Sequence, residues 1–509
     1  MNNVLVLNMG LKSVRSIIFD EEGNKLASSS RALETALNGE HVTQNPSEWW
    51  TKSVEVIRES MSASGSKIDY ITVTTSSACL VYVDKHGNEL DKAIMVSDKR
   101  AVNESLELEK ASTFDSVKEA TGLGADPYLM IPKILWVKNN QRDLYNKTYK
   151  FLSPNDFLIS KLTGKYYTDY FNAHKYHYDC KQNTYPEKLL NELGIDVSLL
   201  PEVVSPGTEI GIVDSKISDM LNFKNDVKVI VTTYDAICSF FGSGPSEEGD
   251  AADVSGTVTT FRVLSYKDNL KCSSKVFNQP FFDWGVNIVG GSNNLGGGLI
   301  EWVKQCYYIN ESYPYEIMEK DARESEIGAN GLIFLPYLLG ERAPIWDNDA
   351  RGVFFGLERV HTRKDMTKAV FESAGFVIKD MIDSIEETGI TVSSIRFSGG
   401  LARINLISQL KADITGKDVL VLDDFETTAI GAAILTLVGV GKYKNVRDAT
   451  SKFVSIRMII KPNIKNHEKY KQIHKLYKNT YVTLKDLFVE RRKIVDKIYR
   501  EKEAVIENL

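Results

Sequence analysis

Asp235 stands in the string TYDAICSFFGSG, directly after an apolar stretch, Val227–Val231. An aspartate between a buried strand and a helix lies at the strand's C-terminal end, where α/β proteins gather their chemistry. Its carboxylate can take the proton of an attacking hydroxyl. It can equally cap the helix that follows. Three glycine turns accompany it. Gly10 lies in NMGLKS, Gly256 and Thr257 lie in DVSGTVTT, and Gly399 and Gly400 lie in FSGGLARIN. Glycine lets backbone N–H groups approach phosphate oxygens closely, and neighbouring hydroxyls add donors. Lys12, inside the first turn, offers a point charge to phosphate or merely a solvated turn cation. Each turn alone is also an ordinary connection.

The elements that carry these residues are readable. Val4–Leu7, Val14–Phe19 and Lys25–Arg31 read as strands joined by turns, and Tyr70–Thr75 reads as another. Pro46–Ala63 has Trp49, Val54, Ile57 and Met61 at helical spacing, with Ser47 placed to cap it. Helical segments dominate as far as Leu200. A polar segment, Pro245–Asp250, reads as a hinge. Beyond it the opening pattern returns: Ala252–Ser255, a glycine turn, then Phe261–Leu264. Leu332–Leu339 reads as a strand ending in Gly340, and a helix starts near Thr362. Ser394–Phe397 precedes a helix over Asn405–Ile414. The tail, Glu468–Leu509, reads as a charged helix that packs back through Tyr470, Ile473, Tyr477 and Tyr481.

The chain has 509 residues, too many for a single core when domains hold about 100–200 residues. The net charge of −6 argues against a nucleic-acid or anionic-membrane partner. Five scattered cysteines, without a CxxC pair, read as reduced core thiols rather than a disulfide framework or zinc site. No secretory signal opens the chain and no apolar run approaches membrane-spanning length, so a cytoplasmic location is expected.

The string GANGLIFLPYLLGERAPIWDNDARGVFFGLERVHTRKDMTKAVFE, Gly328 to Glu372, resembles the second signature of the FGGY carbohydrate kinases. The order of Glu341, Arg342, Pro344 and Trp346 between glycine-punctuated strands carries the likeness. HVTQNPSEWW, FLSPNDFLISKLTGKYYTD and ELGIDVSLLPEVVSPGTEIG resemble the xylulokinase-like branch. The resemblance implies an α/β, two-lobed actin-like (ribonuclease H-like) sugar-kinase fold with an interlobe cleft. It implies an N-terminal lobe, 1–246, with the acceptor site and base, and a C-terminal lobe, 247–509, with the nucleotide. It implies a phosphotransferase that uses ATP and Mg2+ on an alcohol group, with Asp235 as general base.

Carried over residue by residue, the first turn matches the family at Gly10, Ser13 and Arg15 and departs from it at Asn8 and Leu11. The family has an aspartate where Asn8 stands and a phosphate-facing hydroxyl where Leu11 stands. Asn8 and Asp235 would hold hydrated magnesium, the amide without a carboxylate's charge. Gly256 and Thr257 match the second phosphate turn. Gly399 and Gly400 match the turn against adenosine, and Glu426, Ala429, Gly431 and Ala432 match the helix start that closes the adenine pocket; helix packing alone would also favour small residues there. Thr232 and Thr233 replace the family's paired glycines before Asp235.

The acceptor residues are less defined. Asp98 and Arg100 match W-x-D-x-R with Val96 in place of tryptophan, and either bind sugar hydroxyls or form a structural pair. The segment Ser76, Ser77, Ala78, Cys79 carries neither the QMHG of xylulokinases nor the Arg-Glu of glycerol kinases. Trp284 either walls the sugar or fills a core. The expected acceptor is a sugar, such as a pentulose, or a polyol. Another small polyhydroxy compound (a tetritol, a sugar acid, a signalling polyol) or a catalytically weakened nucleotide-binding regulator stays open. A homodimer is compatible with this reading.

Overall fold

The computed structural model describes residues 2–256, 258–271, 273–281 and 284–506. The chain forms two compact units, Met1–Gly244 with Glu426–Val454 and Pro245–Phe425 with Ser455–Leu509. The crossing at Gly244–Pro245 lies at the start of the segment read as a hinge. Residues 426–454 are grouped by their contacts with the first unit.

The first unit is built on β1 (Val4–Met9), β2 (Ser13–Phe19), β3 (Lys25–Ala32), β4 (Tyr70–Thr75), β5 (Thr208–Ile212) and β6 (Lys228–Val231), in the order β5-β6-β4-β1-β2-β3. β1 runs antiparallel to β2 and parallel to β4, and β4 runs parallel to β6. Val4, Leu5, Val6 and Leu7 are all buried, as expected of a strand covered on both faces. The helix α1 (Pro46–Ser64) is capped by Asn45, whose carboxamide oxygen accepts the Ser47 N–H at 3.1 Å. The cap is therefore Asn45 rather than Ser47, because Pro46 lacks an N–H and fits the first helical position.

The second unit repeats the plan. β7 (Asp250–Ser255), β8 (Thr259–Ser265), β9 (Phe277–Phe281), β10 (Val286–Asn293), β11 (Ser394–Gly399), β12 (Asp418–Leu422) and β13 (Ile456–Ile460) form a sheet ordered β9-β10-β8-β7-β11-β12-β13. The β7–β8 and β8–β10 pairs are antiparallel, while β7–β11 and β11–β12 are parallel. Each sheet thus has an antiparallel meander, two parallel strands and an antiparallel edge. The two glycine turns join the first two strands of each meander.

The expected strand Leu332–Leu339 is only Ile333–Leu335. Pro336 follows, and proline cannot donate to a ladder. Thr362 caps α4 (Arg363–Glu386) with a reciprocal capping box to Asp365. In this unit α5 spans Asn405–Thr415 and α7 spans Ile464–Ile506, while the intervening α6 (Thr427–Gly439) belongs to the first unit. On α7, Tyr470 and Tyr477 are buried in the second unit's core, as the stripe predicts. The four described cysteines are free. Cys79 and Cys238 are buried, Cys180 is half-buried and Cys306 is exposed, so Cys306 is not a core thiol.

Candidate functional site

Asp235 is the first residue of α3 (Asp235–Gly242), directly after β6 and the Thr232–Tyr234 link. A carboxylate here faces the positive end of the helix. The link is held rigidly. Thr232 Oγ1 lies 2.8 Å from Thr72 Oγ1 and donates to the Val73 carbonyl at 2.9 Å. Thr232 thus ties the end of β6 to β4. Burial pushes the Cys238 thiol up to about 12 and the Cys79 thiol up to about 11, and the Asp235 charge adds to both shifts. α3, which Asp235 opens, packs against β4, the strand that runs into Ser76–Cys79.

Ala78 adopts φ +57°, a left-handed conformation that a non-glycine residue rarely takes. A lysine that sequence reading missed holds it. Lys133, on α2 (Met130–Asn140), is fully buried and donates to the Ala78 carbonyl at 2.6 Å and the Met95 carbonyl at 3.0 Å. Burial lowers its pKa to about 8, opposed by the charges of Cys79, Asp98 and Asp126. Asp98 accepts from Arg100 Nε at 2.8 Å, Arg100 Nη2 at 2.7 Å, and the N–H groups of Arg100 at 3.0 Å and Val42 at 2.6 Å. Burial pushes the Asp98 carboxyl up, and these donors more than reverse it, so it titrates below the usual range. Arg100 also lies over the Trp136 ring. Both carboxylate oxygens are engaged, which favours the structural pair over direct sugar contact. Lys175 Nζ lies 5.3 Å from the ring centroid of Tyr234, the residue before Asp235.

The first glycine turn is closed by Gly10 N–H donating to the Ser13 carbonyl at 3.0 Å. Gln44 donates to the Leu11 carbonyl at 2.7 Å and accepts from Trp49 Nε1 at 2.8 Å. The HVTQNPSEWW segment thus braces this turn from behind. Asn8 pairs across the strands with Arg15 in register. Arg15 Nη1 donates to both carboxylate oxygens of Glu426, at 2.8 and 3.0 Å. Arg15, expected among the nucleotide-binding residues of the first turn, is thus paired with the residue that precedes α6. Gly431 serves packing rather than an open pocket: a Cβ there would lie 1.7 Å from the Cys238 carbonyl oxygen. Gly242 faces the same contact, with a Cβ 1.8 Å from the Thr427 carbonyl oxygen.

In the second unit the Gly256 turn joins β7 and β8. The Gly256 carbonyl accepts the Gly297 N–H at 2.7 Å. Thr257 lies outside the described residues. Gly399, at φ +90°, passes so close to Ser255 that a Cβ would lie 2.4 Å from its carbonyl oxygen. Gly400 differs: a Cβ there would meet nothing nearer than 4.0 Å. Its open side leaves room for a ligand. Trp284 belongs to this unit and lies tilted beside Phe281, with ring centroids 4.0 Å apart. Glu341 is buried, and its Oε1 accepts the N–H groups of Asn294 and Arg342 at 2.7 and 2.8 Å. Arg342 Nε donates to Asn294 Oδ1 at 2.9 Å. The Glu-Arg pair of the long signature therefore fastens its loop to the end of β10.

Two meander-headed sheets, each with its own glycine turn, define an actin-like sugar-kinase fold. The comparisons agree on the class. The FGGY carbohydrate kinase N-terminal domain matches residues 3–242 and the C-terminal domain matches residues 251–440. The chain is 30% identical over 499 residues to the xylulose kinase of Staphylococcus epidermidis, covering 95% of this chain and 97% of that protein. It is also 30% identical over 499 residues to the glycerol kinase of Clostridium beijerinckii, covering 93% and 96%. The gluconate kinase of Lactobacillus acidophilus shares the fold, with a TM-score of 0.89 at 24% identity, covering 96% of this chain and 99% of that one. The chain belongs to the FGGY family of carbohydrate kinases. It phosphorylates a sugar or polyol hydroxyl with ATP.

Proposed function

We propose that the acceptor is a ketose such as a pentulose, or a related polyol, and that Asp235 is the general base. The observation that supports the base is the place of Asp235, at the first turn of α3, which packs against β4, the strand that runs into Ser76–Cys79. The acceptor hydroxyl gives its proton to Asp235 as its oxygen attacks the γ-phosphorus of ATP. The bond from that phosphorus to the β-γ bridging oxygen breaks, and ADP leaves. In the second unit, backbone N–H groups of the Gly256 turn hold phosphate oxygens and adenosine lies on the open side of Gly400; in the first unit, the Gly10 turn offers donors of the same kind. Lys12 and Ser13 add donors to the first turn.

Magnesium fits the oxygen donors Asn8 and Asp235. Among the described residues, the trio of His, Cys, Asp or Glu side chains close enough to share an ion is Asp380, Asp383 and His474, away from these two in sequence and in the other unit. One amide and one carboxylate suit an ion that arrives with the nucleotide and keeps most of its water. When bound, the ion neutralises charge on the phosphates.

The test is ADP release over a panel of ketopentoses, ketohexoses, glycerol, erythritol and gluconate. Wild type should turn over at least one ketose or polyol. Asp235→Asn should lower that turnover by about 10²–10⁴-fold, the scale of general acid–base catalysis, with ATP affinity little changed. Near-normal turnover by Asp235→Asn would remove the role given to this residue. Turnover confined to gluconate would transfer the chain to sugar acids.

A further inference from the structure

We infer that Lys411 and Asp253 form a buried positioning pair that fixes the Gly256 turn for the phosphates of ATP, an inference that rests on the phosphate-holding reading of that turn. Asp253 and Ser255 lie on β7, and Gly256 follows immediately. Lys411 lies on α5, the helix that leaves the Gly399–Gly400 turn. Its Nζ donates to Asp253 Oδ2 and, at 3.3 Å, to Ser255 Oγ. Ser255 Oγ donates to Asp253 Oδ1 at 2.7 Å and lies 3.0 Å from Thr259 Oγ1. Lys411 Nζ also stands 3.7 Å from the centroid of the Phe397 ring. The side chains of Lys411 and Asp253 are 1% and 0% exposed.

Stability alone is a poor reason for such a pair. Desolvating two charges costs several kcal/mol for each ion, on the order of what their attraction returns, and an apolar pair of similar volume is often as stable. What an apolar pair cannot do is orient the Ser255 hydroxyl. Ser255 and Thr259 face each other across the β7–β8 hairpin and flank the phosphate turn. With both hydroxyls tied from beneath, the backbone direction at Ser255 and Gly256 is set before nucleotide binds, and no reorganisation is required there on binding. Ser255 also pairs in register with Gly399 on β11, and its carbonyl fills the space that a Gly399 side chain would need. The pair therefore joins the phosphate turn and the adenosine turn in one rigid piece of the second unit.

The experiment compares Lys411→Met, the double variant Asp253→Leu/Lys411→Met, Ser255→Ala and Gly256→Val. Each is measured for Tm, for ATP and acceptor KM and kcat, and for Kd of adenosine and of ADP. Lys411→Met alone leaves a buried, unpaired carboxylate, so its Tm should fall. The double variant should recover most of that Tm. It should still raise the ATP KM and the ADP Kd about tenfold, the scale of one hydrogen bond to a charged group, with adenosine affinity unchanged. Ser255→Ala should shift the same two constants in the same direction. A double variant and a Ser255→Ala variant with wild-type ATP KM would overturn the inference and leave the pair purely structural. Gly256→Val tests the reading beneath it. If that variant binds ADP normally, the phosphate turn itself is misplaced; if it loses ADP while the double variant keeps it, only the role of the pair fails.

Discussion

At the scale of single residues, the site is defined by how each polar group is already engaged. Asp98 has both oxygens filled, so it can orient Arg100 but has little left for a sugar hydroxyl. Lys133 sends two of its three N–H bonds into the carbonyls of Ala78, in the proposed acceptor segment, and Met95. Lys133→Met should therefore raise the acceptor KM about tenfold, the scale of hydrogen bonds to a charged donor, while the ATP KM stays within twofold. Steady-state kinetics with both substrates varied measures this, and an equal rise in both constants would mean general loosening. Asn8 poses the opposite question, since its amide stands where the family has a carboxylate. Asn8→Asp adds a negative oxygen at the proposed magnesium site. The magnesium concentration for half-maximal rate should fall several-fold, roughly the effect of one added charged ligand. A magnesium titration that does not move would detach residue 8 from the ion.

At the scale of elements, two glycines that look alike in the sequence do opposite things. Gly431 lets α6 lie against α3, and a methyl group there would drive into the Cys238 carbonyl. Since α3 starts with Asp235, Gly431→Ala should lower both stability and turnover, at about 1–3 kcal/mol or more for overpacking. Gly400→Val meets open space, so it should keep its Tm and weaken ATP binding. Thermal melts and ATP calorimetry separate the two; a Gly400→Val variant with normal affinity would place adenosine elsewhere. This contrast also marks the limit of legibility. The strand–turn–strand openings and α5 were readable because apolar period and glycine punctuation are local signals. The carbonyl that Gly431 meets comes from a helix about 190 residues earlier, and no local pattern announces it. Lys133 and Lys411 were missed for a related reason. A lysine within an apolar helix reads as a solvated exception, and only the fold reveals carbonyls or a carboxylate waiting for it.

At the scale of the whole molecule, the repeated sheet order shows what residues alone left too faint, since the two openings share geometry but few side chains. The two units also carry different buried titrations. In the first, burial lowers His174 and His177 to about 4, while it raises Asp156 to about 7 and Asp169 to about 6. Protonation on acidification thus costs the histidines and relieves the aspartates, and the two trends oppose each other. In the second unit burial raises Glu341 and Glu372 to about 7, with the same sign. A carboxyl whose folded pKa is raised gives its full stability below its unfolded value of 4.5 and loses it as pH rises through about 7. Glu341 is the cleaner probe, because glutamine keeps an oxygen for the Asn294 and Arg342 N–H groups. Glu341→Gln should match wild type in stability near pH 4.5 and exceed it increasingly up to pH 7, with a plateau above. A carboxyl raised from 4.5 to about 7 puts that plateau on the order of 3 kcal/mol. Thermal melts of both proteins from pH 4.5 to 8.5 measure the gap. A gap that is constant across that range would show that Glu341 keeps its charge in the folded protein, held by Arg342 more strongly than burial opposes it.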